Sequence, residues 1–301
     1  MMASGNPWPS WNLLDDFREM WSFPFMVNAF RAGTLVAVTA GVIGWFVVTR
    51  KQSFAAHTLA MVSFPGAAAA VLVGVSAVYG YFVFCVGAAL VLATLPFALA
   101  GESEGQSAAT GTVQAFLLAC GYLFVALYHG VLSGLNALLF GTFLGVTSQQ
   151  VAILAAASLV VLVTLAAVGR PLLFASLDPA VAAARGIPAN VLSVLFLVLL
   201  GTATAEASQI TGVLLVFALL VMPAAAAQQV TARPSLAIAL AVIIAFAVTW
   251  IGLGVAFYLP YPSGFFITTL AFCCYVVARG FRAVRGTRRA PAVSRLLGAL
   301  R

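Results

Sequence analysis

The sequence predicts an all-α fold, a polytopic transmembrane helical bundle of about 8–9 spans, and three observations predict it. Of 301 residues 63% are hydrophobic, only 14 are Lys or Arg and 7 are Asp or Glu, and the mean hydropathy is +1.12. An aqueous surface needs roughly a quarter of its residues charged, so no water-soluble domain of this length is built this way. The charges are also bunched: Arg50 with Lys51, Arg170 with Asp178 and Arg185, Arg233, and the stretch from Arg279 to Arg301. Between them lie continuously apolar runs near the ~20 residues a helix needs to cross a bilayer. Alternating segments of about ten residues, the mark of a barrel, are missing.

Taken in order, residues 1–26 form an N-terminal segment in which Trp8, Trp11 and Trp21 suit the membrane interface. A transmembrane domain follows over 27–280, with spans expected near 27–49, 54–76, 79–99, 113–132, 150–169, 190–208, 211–230, 236–258 and 264–280. Gly41, Gly44 and the run Ala67 to Ala70 suit close helix–helix approach. The stretch Gly101 to Gly111, with Glu102 and Glu104, reads as a flexible connector without chemistry. Polar residues between Val191 and Val230 leave open whether two spans or one broken helix lie there. Residues 281–301 form a basic tail.

Orientation follows from the excess of Arg and Lys in cytoplasmic loops. If Arg50–Lys51 is cytoplasmic, nine spans return the chain to the cytoplasm at Arg170–Arg185, at Arg233 and at Arg279. The N-terminus then lies outside. The first apolar run starts late and continues as a full span, so no cleavable signal is expected. The protein is therefore expected in the plasma (inner) membrane as a multi-pass chain. Its tail reads as a contact for anionic lipid and not as a nucleic-acid patch.

Several chemistries are excluded. With His57 and His129 as the only histidines, H-E-x-x-H metalloprotease chemistry cannot be assembled. Lys51 is the single lysine and follows Thr49 and Arg50, so no Walker A loop exists and any ATP must be hydrolysed by another chain. Ser133 lies four residues after His129, yet no Gly-rich nucleophile turn supports a hydrolase. The cysteines, Cys85, Cys120, Cys273 and Cys274, all fall in apolar runs without a C-x-x-C, and read as packing residues.

Five segments, in order, resemble the permease (membrane-spanning) subunit of the zinc/manganese/iron ABC importer family. They are Arg50, Lys51, Ser53 and Phe54 followed by Phe64, Pro65 and Gly66; Leu138 to Gly141; Phe174, Asp178, Pro179, Ala183, Gly186, Ile187 and Pro188; Gly212 to Leu215 with Met222, Pro223, Ala224 and Ala227; and Pro262, Ser263 and Gly264. The third has its own physics. Asp178 is a capping acid before Pro179 at a first helical position, and Gly186 with Pro188 beyond it is a stop. A short cytoplasmic helix of about two turns follows. In the family such a helix is the coupling helix that docks into the ATPase subunit, which implies that role for Asp178, Pro179, Ala183, Arg185, Gly186 and Pro188.

The resemblance also implies a metal path. Between the Ser and the Pro-Gly the family carries Asp-x-x-Ser-His; here those positions hold His57, Ala60 and Met61. Carboxylate and imidazole have become imidazole and thioether, still on one helix face. Manganese favours hard oxygen ligands, whereas imidazole suits zinc or iron, so zinc is the first expectation, then manganese or iron. Glu206, an acid in a membrane stretch beside Thr202, Thr204, Ser208, Gln209 and Thr211, is the third candidate metal contact. The alternative for Glu206 is a short turn at the outer surface.

The function implied is therefore transport of a divalent metal ion as cargo, with no permanently bound cofactor and no enzyme activity in this chain. The implied partners are a cytoplasmic ATPase subunit, an extracellular or periplasmic metal-binding protein, and a second permease, as homodimer or heterodimer. Membrane lipid is the remaining partner; nucleic acid is not one. A second reading is a stand-alone secondary metal transporter or channel that shares only the helical architecture.

Overall fold

A computed structural model of the chain describes residues 13–94, 104–128, 139, 145–177, 179–213, 215–259 and 261–298. These form, in order, α1 (Leu13–Ser22), α2 (Pro24–Thr49), α3 (Ser53–Leu72), α4 (Ala77–Thr94), α5 (Glu104–Leu127), α6 (Ser148–Leu177), α7 (Pro179–Ala184), α8 (Ala189–Thr211), α9 (Val216–Val230), α10 (Pro234–Tyr258) and α11 (Ser263–Gly298). Eight of them (α2–α6, α8, α10 and α11) are long and apolar enough to cross a membrane. The ninth apolar helix, α9, has 15 residues. At 1.5 Å per residue it is about 22 Å long, shorter than a hydrocarbon core of about 30 Å.

Local chemistry sets the ends. Proline opens α2, α7 and α10, where a first-turn N–H has no intrahelical acceptor to lose. Among the described residues four helices close on a residue of positive φ, and three of them do so in one way: Lys51 (φ 56°) after α2, Gly74 (φ 75°) after α3 and Gly186 (φ 73°) after α7. Each is followed by an N–H reaching back five residues, Gln52 to the Val47 carbonyl, Val75 to that of Ala70 and Ile187 to that of Ala182. That is the Schellman closure. Gly186 is thus the stop its sequence position predicts.

One stretch differs from the sequence reading. Residues 104–111, expected as a connector, are the first two turns of α5; the segment is polar, but it lacks Pro and its small residues extend the helix that follows. The stretch 281–298, within the basic tail, is helical and continues α11 without a break. The candidate break near Glu206 also resolves. The hydroxyls of Thr202, Thr204, Ser208 and Thr211 each bond the carbonyl four residues back, so these residues sit inside a continuous α8. Gly212 (φ 75°) ends it.

Helices meet where side chains are missing. A Cβ on Gly44 of α2 would run into the Leu220 carbonyl of α9, and one on Gly41 into the Val242 backbone of α10. Gly66 and Gly80 face each other backbone to backbone across α3 and α4, and Gly201 of α8 lies on the Cys85 carbonyl of α4. Such seams supply the close van der Waals approach that holds helices together in lipid. All four cysteines are free.

Polar contacts bring several helix ends to one end of the bundle. Arg50, after α2, reaches Ser176 in the last turn of α6 and Ser193 in the first turns of α8. Gln228, late in α9, donates to the Trp45 carbonyl and to Thr49. Arg282 of α11 donates to Gln229. Arg50, Arg282 and the connector bearing Arg185 therefore share one end. Arg31, exposed seven residues into α2, stands apart from that set.

Candidate functional site

The helix α3 carries His57 and Met61 one turn apart. His57 is half-buried and its ring lies edge-on to Phe217 of α9, with centroids 5.4 Å apart. Met61 is buried. Around this face, Thr58 donates to the Gln114 side chain of α5 at 3.2 Å, and the Cys85 thiol of α4 points at the Leu59 carbonyl at 3.5 Å. Pro65, one turn beyond Met61, stands inside the helix. It has no N–H to offer the Met61 carbonyl.

Glu206 is fully buried inside α8, so the reading of an exposed outer turn does not hold. Ser158 of α6 donates to Glu206 Oε2 at 3.0 Å. The buried Thr39 hydroxyl of α2 stands beside the same carboxylate. Two residues further on, Ser208 sits 2.9 Å from Ser63 of α3. Successive helical residues turn by about 100°, so Glu206 and Ser208 project about 160° apart. Ser208 faces α3; Glu206 faces α2 and α6. The structure thus brings His57 and Met61 onto one helix face, and leaves Glu206 on the far side of α8. Among the described residues no three His, Cys, Asp or Glu gather to hold an ion.

The connector between α6 and α8 holds the short helix α7, six residues long, close to the expected two turns. Asp178 lies outside the described residues, as do the side chains of Pro179 and Ala183, the histidine His129 and most of Leu138 to Gly141. Arg185, Gly186 and Pro188 are exposed. The Arg185 guanidinium lies over the Phe174 ring at 5.2 Å. α6 has 30 residues, about 45 Å, longer than the hydrocarbon core of about 30 Å, and α7 beyond its end is anchored to the bundle through the fully buried Ala182.

The sequence did not single out three partners: Phe217 against His57, and Thr39 and Ser158 beside Glu206. Each is one among many alike in this composition, and only the helix pairing selects it. Arg50 was visible as a charge; its two acceptors were not.

A multi-pass all-helical bundle with glycine seams and a short helix between two spans fits a membrane transport permease. The chain belongs to the ABC 3 transport family, whose sequence pattern matches residues 22–282. Among curated relatives, the "Manganese transport system membrane protein MntC" of Halalkalibacterium halodurans is 29% identical over 226 residues, 74% of this chain and 75% of that protein. The "Manganese import system permease protein ScaB" of Streptococcus parasanguinis is 27% identical over 205 residues, 68% of this chain and 72% of that one. Among solved structures, PsaBC from Streptococcus pneumoniae in complex with Fab superposes with a TM-score of 0.78 at 24% identity, covering 88% of this chain and 95% of that one. At that identity the likeness speaks for the fold.

Proposed function

We propose that this chain is the membrane-spanning permease subunit of an ATP-driven importer for a divalent transition metal, powered by a separate ATPase and supplied by a metal-binding protein. The observation that carries the reading is the family match over 22–282, which takes in the whole bundle and the α7 connector. It also favours the importer over a stand-alone secondary transporter. α7 is the surface offered to the ATPase. The Arg50 end is the cytoplasmic one, in accord with the positive-inside rule.

His57 and Met61 line the path. Passage requires weak, exchangeable coordination, which an imidazole, a thioether and water provide better than a closed four-ligand cage. Glu206 shares an ion with them only if α8 turns about its axis, so it forms a separate polar station, to be tested by itself. For the cargo two observations pull apart. The relatives' names speak for manganese, and the imidazole–thioether pair suits zinc or iron. The relatives' names are the weightier, and manganese takes first place, with zinc second.

The test is uptake by cells or vesicles carrying the chain with its ATPase. Metal accumulation that needs ATP and the second subunit is expected, with manganese competing best. Uptake by this chain alone, driven by an ion gradient, would establish the secondary-transporter reading instead.

A further inference from the structure

Arg50 makes a junction that no role described so far uses. Its guanidinium is partly buried after the last turn of α2. Nη1 donates to Ser176 Oγ at 2.7 Å, Nη2 donates to Ser193 Oγ at 2.8 Å, and the planar group lies over the Phe196 ring at 5.1 Å. Burial pushes this guanidinium down from its ordinary value, yet an arginine stays charged at any cellular pH. Ser176 lies in the last turn of α6, before α7, and Ser193 is the fifth residue of α8, after it. One side chain, from outside the connector, thus ties together the two helices that flank it.

The same three helices are tied elsewhere along their length. Near the opposite end, Asn28 of α2 donates to the Val146 carbonyl just before α6, and Gln150 of α6 donates to Gln209 of α8 at 2.7 Å. Between the ends stands the contact of Ser158 with Glu206. α2, α6 and α8 are therefore pinned by polar contacts at three levels. α3 and α4 instead meet α8 through the Gly201 seam and one serine pair. A displacement of α7 has its ends fastened to a body of three helices, and Arg50 is the fastening nearest α7.

We propose that Arg50 is the positioning residue that transmits movement of α7 to the α2–α6–α8 body, so that ATP hydrolysis in the partner is converted into opening of the path. The inference rests on the importer reading. Its chemistry is specific to arginine: a planar fork can serve two hydroxyls while stacked on a ring, and an ammonium cannot.

The experiment compares metal moved per ATP hydrolysed, using manganese and zinc as probes. The chain is reconstituted in liposomes with its ATPase subunit and metal-binding protein. R50Q is expected to lower that ratio roughly tenfold, within the range that residues along coupling networks command, while the complex assembles at wild-type stoichiometry. R50K, which keeps the charge and loses the fork, should not restore it. A merely structural fault would reduce hydrolysis and transport together and leave the ratio unchanged. If R50Q fails to assemble, the double variant S176A/S193A, which removes both acceptors and keeps Arg50, decides by the same ratio. An unchanged ratio in the assembled variant, or full rescue by R50K, overturns the proposal. A wild-type complex without ATP-coupled transport overturns the importer reading first, and this inference with it.

Discussion

His57 and Met61 are the residues on which the cargo question turns. With His57→Ala, uptake should fall strongly at equal expression, because the half-buried ring rests against Phe217 and its loss removes a nitrogen donor rather than a core contact. Met61→Leu is nearly isosteric and should cost under about 1.5 kcal/mol of stability, while changing the order of preference among manganese, zinc and iron. Uptake of the three ions by both variants is the measurement; unchanged profiles in both would remove these positions from the path. Glu206→Gln keeps an acceptor for Ser158 and should leave thermal stability near wild type, whereas Glu206→Ala orphans that hydroxyl and should cost about 1–3 kcal/mol. If Glu206→Gln loses uptake at wild-type stability, the carboxylate itself belongs to the path. The α3 pair was legible because the chain departs there from a recognisable pattern. Glu206 was visible as a costly charge. Its direction was not, since the face a helical residue presents depends on neighbours that a uniformly apolar sequence does not distinguish.

Helices and their junctions obey the local rules well enough to be read, with exceptions that have causes. Pro179 and Gly186 bound α7 as their types demand, and each of the nine apolar runs became a helix, most ends shifting by a few residues while α5 begins earlier and α6 and α11 run on well past the expected ends. The polar band of α8 misled, because hydroxyls bonded to their own helix leave no trace in composition. The glycine at the end of α7 invites a controlled comparison. A Cβ on Gly186 meets nothing within 4 Å, but φ is 73°. Gly186→Ala should therefore cost only backbone strain, about 1–2 kcal/mol, with assembly intact. Gly201→Leu would drive a side chain into the Cys85 carbonyl. It should lower the melting temperature of the detergent-purified protein far more than Gly186→Ala does, or prevent purification altogether. Equal losses in the two would mean that the α4–α8 seam is looser than its geometry indicates.

Across the whole molecule, orientation is the property most open to test. The charge rule puts the end bearing Arg50, Arg185 and Arg282 in the cytoplasm. In a variant lacking the four native cysteines, Tyr261→Cys should react with an impermeant thiol reagent on intact cells, and Val284→Cys should react only after lysis. Both positions are well exposed, whereas Ser263, two residues from Tyr261, is buried and would report poorly. The opposite pattern would invert the molecule and remove α7 from reach of any ATPase. Membrane residence and a count of eight or nine spans were legible from composition and run length alone; among the described residues eight helices are long enough to cross. The interior arrangement was not, since what decides which helices touch is the absence of side chains at a few glycines.

Those seams change how a mutational survey of this protein must be interpreted. Alanine scanning assumes that truncation reveals what a side chain contributes. Where Gly66 lies on Gly80, and Gly44 on the Leu220 carbonyl, nothing can be truncated, and alanine is an insertion. A scan would therefore find some of its deepest losses where a single methyl group is added, while many large exposed residues such as Val83 or Phe116 would be replaced at little cost to the fold. The most informative positions of the bundle are the ones with the least chemistry to remove.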